Sequence, residues 1–307
     1  MVITSAPGKL ILLGEHAVVF GKSAIAVAID LRLRCIAAPS VDFMINGKMI
    51  GDNYRSYIQA SMDKVWRGAP VSIRTFSDLP SGSGLGSSAA VTVATLAALM
   101  QLRGGFMEPS VAQVGFEVES EVQGRASPID TSVSTHGQGI FVDSERGDDH
   151  LWTMRRDERV WHIHHLRVPE LTIVVGYTGI HAPTGPLVEM VRRASEDHRW
   201  AREAIDRIGE ISIEGMAALH RSDLVGLGEL MDEDHALLSK LGVSCPELDF
   251  LVEAARPLSY GAKLTGAGGG GSMIALTDDP EMVSKVISEN GGKPIIVHTG
   301  VKGVEVE

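Results

Sequence analysis

At 307 residues, 44% of them hydrophobic, the chain can build one large or two ordinary domains around a sizeable core. A formal net charge of -11 argues against a general nucleic-acid surface, which needs clustered Lys and Arg, but leaves room for a local basic pocket for a small anion. The two cysteines, Cys35 and Cys245, form no CxxC pair and no metal-ligand spacing, and read as buried apolar side chains in a reducing cytosol.

The opening "MVITSAPGKLILLGEH" lacks the basic, apolar and small-residue succession of a secretory signal. Its apolar residues, Val2–Ile3 and Leu10–Leu13, are interrupted by "SAPGK". From Ala24, "AIAVAIDLRLRCIAA" ends in an alternation of Leu31, Leu33 and Cys35 with Arg32 and Arg34, which predicts a half-buried strand. "VDFMI" before "NGK" predicts a strand entering a tight turn. A helix follows with Tyr54, Tyr57, Ile58, Met62, Val65 and Trp66 on one side, and "VSIRTFSD" alternates as a strand.

A serine- and glycine-rich loop, "SDLPSGSGLGSSAAV", then runs into an apolar helix from about Ser87 to Leu102, with Ser87 or Ser88 as its cap. A second helix covers Pro109 to Gln123, and strands are expected at "HGQGIFVD", "LWTM" and "WHIHHL". His162, His164 and His165 read as strand histidines, not as a metal site. The longest uncharged apolar stretch, Ala89 to Leu102, is shorter than the roughly 20 residues that span a bilayer. A cytoplasmic protein without membrane contact is the expectation.

The nearly continuous apolar run Leu171 to Tyr177 predicts a buried strand and a domain change just before it, dividing the chain into 1–169 and 170–307. Beyond it one long helix is expected over about Leu187 to Ile208, with shorter helices after it and another in "PELDFLVEAARPL". Adjoining strands at Ala262–Leu264 and Ser272–Leu276 flank a second glycine run, "TGAGGGG". A helix near Pro280–Ser288 and a strand at "KPIIVHT" end the pattern, which is α+β with mixed sheets under helices.

Glycines let a backbone approach a ligand closely, and the first turn of a helix has unpaired N–H groups and partial positive charge. A glycine–serine loop opening a helix is therefore suited to phosphate. The spacing of Gly82, Gly84 and Gly86 is not that of a dinucleotide fold, and no lysine follows as in the usual P-loop. On its own the loop reads more readily as a glycine-rich turn with a serine cap and no ligand. The second run is held between apolar strands, where its lack of side chains would admit a neighbouring domain or a phosphate.

Three segments together are more specific: "APGKLILLGEHAVVFG", "PSGSGLGSSAAV" and "KLTGAGGGG". In order and spacing, over nearly the whole chain, they resemble the GHMP small-molecule kinase superfamily, and "GEHAVVFG" with "GLGSSAA" resembles its mevalonate kinase branch, of compact archaeal length. The resemblance implies a two-domain α+β fold with the active site in the cleft between domains. The N-terminal domain would bind ATP through Pro80, Ser81, Gly82, Ser83, Gly84, Leu85, Gly86, Ser87 and Ser88, with Gly268 and Gly269 of the second run. It also implies Mg2+, (R)-mevalonate as the small-molecule partner, and a homodimer.

Residue by residue, the resemblance implies Asp130 and Lys9 as catalytic groups. A carboxylate beside the acceptor hydroxyl can take its proton, and an ammonium can stabilise charge on the hydroxyl and the moving phosphoryl group. It implies Ser88 and Glu119 as Mg2+ ligands, hard oxygens of the type this ion prefers. Helical periodicity does not itself select Glu119, because Glu119 and Glu121 both flank the stripe Val111, Val114, Val118, Val122. Glu15, His16, Tyr177 and Thr184 are implied on the acceptor side. Gln138 departs from the glycine that the family often carries there. Another acceptor (homoserine, a sugar, an isoprenoid intermediate) and a non-catalytic nucleotide-binding regulator are the competing readings.

Overall fold

The computed structural model describes residues 1–49, 56–80, 82–124, 127–181 and 184–307. Two sheets form its frame. The larger contains β1 (Val2–Leu13), β2 (Ala24–Pro39), β3 (Met44–Ile45), β4 (Lys48–Met49), β5 (Val71–Ser77), β6 (Gly139–Asp143), β7 (His150–Arg156) and β8 (Arg159–Leu166). Its order is β4-β3-β5-β2-β6-β8-β7, with β1 along the other edge of β2. The smaller sheet contains β9 (Thr172–Tyr177), β10 (Gly261–Thr265), β11 (Ser272–Leu276) and β12 (Lys293–His298), in the antiparallel order β10-β11-β9-β12. The last strand, β13 (Glu305–Val306), returns to pair with β1.

"SAPGK" does not interrupt β1. The strand runs through it, and the register shifts between Pro7 and Gly8. A bulge accommodates a residue that cannot donate to the ladder. Gly8 is needed there, since a Cβ would lie 2.4 Å from Leu79 Cδ2. In β2 the alternation holds: Leu33, Cys35 and Ala37 are buried and Arg34 is exposed. Asn46 and Gly47, at φ +50° and +78°, make the expected tight hairpin between β3 and β4.

Between the larger sheet and its outer helices lies α2 (Ser87–Leu102), after α1 (Tyr57–Val65) in the chain and before α3 (Glu108–Gln123) and α4 (Ile129–His136). It is apolar on every side because β1 and β2 cover one side and α1, α3 and α4 the other. Tyr54, expected on α1, lies outside the described residues. In the second half are α5 (Thr184–Asp197), α6 (Arg199–Arg221), α7 (Leu224–Lys240), α8 (Pro246–Ala255) and α9 (Pro280–Glu289). The single helix expected over Leu187–Ile208 is two helices, broken at the extended residue His198. Arg202 closes the break by donating to the carbonyl oxygens of Ser195 and Glu196. No glycine or proline marks the spot.

The continuous apolar run of β9 is buried on both faces. Ile173 and Val175 join the core shared with the larger sheet, and Val174 joins the core with residues of α8 and α9. Among the described residues no helix is long and apolar enough to cross a membrane.

The sequence offers no clear sign of α4. Its Asp, Thr and Ser residues are weak helix formers that compete for backbone hydrogen bonds. Tertiary bonds hold it instead. Ser134 Oγ donates to the Pro7 carbonyl at 2.7 Å, Trp152 Nε1 donates to Ser132 Oγ at 3.2 Å, and Val304 N donates to the Thr135 carbonyl at 3.0 Å. Gln138 takes a left-handed φ of +51°, a position that favours glycine, and its side chain donates to the Gly300 carbonyl at 2.6 Å.

Candidate active site

A cavity of about 660 Å³ lies where the start of α2 meets α3, α4, α5 and the second glycine run. Gly82, Gly84 and Gly86 line it at φ +71°, +81° and +78°, so the loop turns in conformations that L side chains resist. The expected serine cap of α2 is absent. Gly86 is the N-cap residue and no side chain caps the helix. Ser88 Oγ instead donates to Glu119 Oε1 at 3.1 Å. Ser83, Ser87 and Ser88 line the cavity, but the Ser83 hydroxyl is used within the loop, donating to the Pro80 carbonyl at 2.8 Å. Pro80 and Leu85 are not cleft-lining, contrary to expectation. Leu85 is fully buried and only its carbonyl takes part, accepting from Lys9 N at 2.9 Å. Ser81 lies outside the described residues.

Lys9 and Asp130 come together as the motifs imply. Lys9 Nζ lies 3.1 Å from Asp130 Oδ1 and donates to the Gly84 carbonyl at 3.3 Å. The lysine stem lies over Gly86, where a Cβ would stand 2.6 Å from Lys9 Cγ. Glu119 shares the cavity with this pair and is 2% exposed. Burial, and then the Asp130 charge, push its carboxyl up to about 8 against the pull of Ser88 and Lys9. The ambiguity between Glu119 and Glu121 is resolved by packing: Glu121 is exposed, with Lys64 Nζ 3.6 Å from its Oε2.

On the acceptor side the expectations divide. His16 lines the cavity at φ +59°, and its Nε2–H donates to the Ala267 carbonyl at 2.9 Å. Its Nδ1 is buried and has no partner among the described residues, and burial lowers the imidazole pKa, which keeps the ring neutral. Thr184 also lines the cavity, at the start of α5. Glu15 does not. It is fully buried and accepts from Lys263 Nζ, because a carboxyl group removed from water needs a polar partner. Tyr177 ends β9 between Ser272 and Lys293, outside the cavity lining.

Gly268 and Gly269 are a further correction, since the cavity is lined by Gly266 and Ala267. A Cβ at Gly268 would lie 1.9 Å from the Val243 carbonyl oxygen, and Gly269 N donates to that oxygen at 2.8 Å. These glycines admit a close backbone approach, but to the turn after α7. Sequence reasoning also passed over His181, a cleft-lining residue against whose ring Gly82 is set; a Cβ at Gly82 would lie 2.8 Å from its Nδ1. The expected strand histidines find local partners: His162 with Thr153, His165 with His136 and His164 with Gly147.

Residues 54–138 match the GHMP kinases N terminal domain, and residues 216–293 match GHMP kinases C terminal. The whole chain is 38% identical to the mevalonate kinase of Thermococcus onnurineus, covering 98% of that protein. The chain belongs to the mevalonate kinase family. A second mevalonate kinase, from Methanothermobacter thermautotrophicus, is 35% identical over 88% of each chain. In three dimensions the mevalonate kinase of Methanococcus jannaschii is similar with a TM-score of 0.80 at 26% identity, over 97% of this chain and 98% of that one. The L. major mevalonate kinase in complex with R-mevalonate is similar with a TM-score of 0.81 at 25% identity, over 97% and 96%.

As a mevalonate kinase family member the chain is an ATP- and Mg2+-dependent kinase of the two-domain GHMP fold. Its residues fit both groups. Ser88 and Glu119 offer hard oxygens at 3.1 Å from each other, of the type a divalent ion prefers, and burial of the Glu119 carboxyl leaves it a charge deficit that such an ion would meet. The left-handed glycines and the helix start without a side-chain cap suit the phosphates of the nucleotide.

Proposed function

We propose that this kinase transfers the γ-phosphoryl group of ATP to the 5-hydroxyl of (R)-mevalonate, giving (R)-5-phosphomevalonate and ADP for isoprenoid precursor synthesis. The observation that carries the reading is the Lys9–Asp130 pair, 3.1 Å apart, in one cleft with Ser88 and Glu119, in a chain whose full-length relatives are mevalonate kinases.

Each residue then has a task. The loop and the first turn of α2 bind phosphate through backbone N–H groups. Asp130 orients the acceptor hydroxyl and takes its proton as the oxygen attacks phosphorus. Lys9 stabilises the charge that grows on that oxygen and on the moving phosphoryl group. Ser88 and Glu119 hold Mg2+, which when bound neutralises and orients the phosphates of the donor. His16 lines the acceptor side with its neutral ring, and Thr184 completes that side. In-line transfer of this kind needs no covalent protein intermediate.

The reading assigns residues 1–169 to the ATP-binding domain and 170–307 to the C-terminal domain, with β13 crossing back to β1. It includes a cytoplasmic homodimer, on family resemblance, with sedimentation as the measure of the oligomer. The net charge of -11 supports the absence of nucleic-acid partners. ADP release from Mg–ATP with (R)-mevalonate, beside homoserine, galactose and 5-phosphomevalonate, tests the substrate. Turnover only with (R)-mevalonate is expected; preference for another alcohol would overturn the acceptor assignment.

A further inference from the structure

Behind the acceptor side of the cleft lies a buried ion cluster that phosphoryl transfer does not use. The side chains of Lys263 on β10, Glu15 and Asp234 on α7 have no exposed surface. Lys263 Nζ donates to Glu15 Oε1 and, at 2.8 Å, to the Leu264 carbonyl, and it lies 3.4 Å from Asp234 Oδ2. One ammonium therefore serves two carboxylates where water does not reach. Burial pushes Glu15 up to about 8, so the cluster keeps a proton and stays near neutrality. As a source of stability this is poor design, because apolar side chains of similar volume usually do as well. Fixed geometry is what a buried ionic group adds.

The geometry it fixes is that of the neighbouring residue. Glu15 precedes His16, whose backbone is left-handed and whose ring bonds the Ala267 carbonyl. Lys263 opens the segment that carries Ala267. The two segments are thus tied by the ion cluster, by the His16–Ala267 bond, and again by Thr265 Oγ1, which donates to the Ile11 carbonyl at 3.0 Å and accepts from Ile11 N at 3.2 Å.

We propose that Lys263, with Asp234 as its second counter-charge, is a positioning residue that acts through Glu15: it locks the His16 peptide so that Nε2–H stays on Ala267 and the ring keeps its place on the acceptor side. The inference rests on the reading of His16 as an acceptor-side ligand.

A double-mutant cycle of Lys263→Met and His16→Ala tests it, with (R)-mevalonate and ATP varied separately. Lys263→Met alone should lower kcat/KM for the acceptor about tenfold or more and change the KM for ATP less than about threefold. Added to His16→Ala, it should cost nothing further. Losses that multiply, or equal effects on both substrates, would overturn the proposal. If Lys263→Met does not fold, Glu15→Gln takes its place in the cycle, keeping the shape and replacing the carboxyl by an amide that does not titrate.

Nitrogen-15 spectra of labelled histidine read the ring directly. The wild type should show His16 as the Nε2–H tautomer, and either folded variant should shift or split that signal. An unchanged signal overturns the proposal whatever the kinetics. If His16→Ala alone has wild-type kinetics, the acceptor-side reading of His16 falls, and the ring signal decides the positioning role by itself.

Discussion

Ser134 Oγ donates to the Pro7 carbonyl at 2.7 Å, and this bond fastens α4 to β1 beside the place where Asp130 meets Lys9. The helix carries the carboxylate and the strand carries the ammonium, so their 3.1 Å separation is set by this packing and not by either side chain alone. Asp130→Asn keeps the shape and loses the base. We predict a fall in kcat of about 10²- to 10⁴-fold with ATP-analogue affinity nearly unchanged. Assays of ADP release and nucleotide titrations check it; near-normal turnover would remove Asp130 from the chemistry.

Glu119 bears a carboxyl pushed up to about 8, first by burial and then by Asp130. A metal must displace that proton, so Mg2+ affinity should strengthen as the pH rises toward 8. Glu119→Gln should weaken Mg2+ use by about 10- to 100-fold and flatten this pH dependence, with a smaller effect from Ser88→Ala. Activity against Mg2+ concentration across the pH range is the measurement, and an unchanged Mg2+ requirement in both variants would count against the site.

Gly86→Ala should damage turnover more than folding. The left-handed φ of +78° costs an L residue about 1–2 kcal/mol, and the new Cβ would press on the Lys9 stem. A fall in kcat of about tenfold or more is expected while the protein remains folded. Wild-type kcat in the folded variant would show that Lys9 is not held by this contact.

Glu15 predicts a stability trend with pH. Its carboxyl is raised from about 4.5 unfolded to about 8 folded, so the native state keeps a proton that the unfolded chain has released. The stabilisation is complete below about 4.5 and is lost as the pH rises through about 8. The Tm of the wild type should therefore fall relative to Glu15→Gln as the pH climbs over that range. Glu119 shifts in the same direction but is present in both proteins. A constant Tm difference across the range would refute the assignment.

Gly268→Ala separates structure from nucleotide binding. Its Cβ would stand 1.9 Å from the Val243 carbonyl oxygen, away from the cavity lining. We expect a stability loss of about 2–4 kcal/mol by denaturant unfolding, with the KM for ATP of the folded fraction little altered. A raised KM for ATP without a loss of stability would return Gly268 to the nucleotide site.

Much of this molecule was determined by the sequence alone. The alternation in β2, the apolar α2 and the unbroken run of β9 each reflect a local period set against a buried face. The three motifs carry the chemistry in order along the chain, since a phosphate site needs left-handed glycines beside a helix start wherever it is built. Other features had no local signal. Buried Thr and Ser residues form α4 because distant groups satisfy their hydroxyls, and helix propensity argues the other way. Glu119 and Glu121 are equivalent by period, and only the packing of α3 buries one beside Ser88 and leaves the other near Lys64. Glu15 sits in a motif that resembles an acceptor site, yet Lys263 from the second half of the chain draws it into the interior. Gly268 and Gly269 pack on Val243, while Gly266 and Ala267 line the cleft. In each case the residue type states what a side chain or backbone can do, and the partner it meets, far away in the chain, decides whether it does so in the active site.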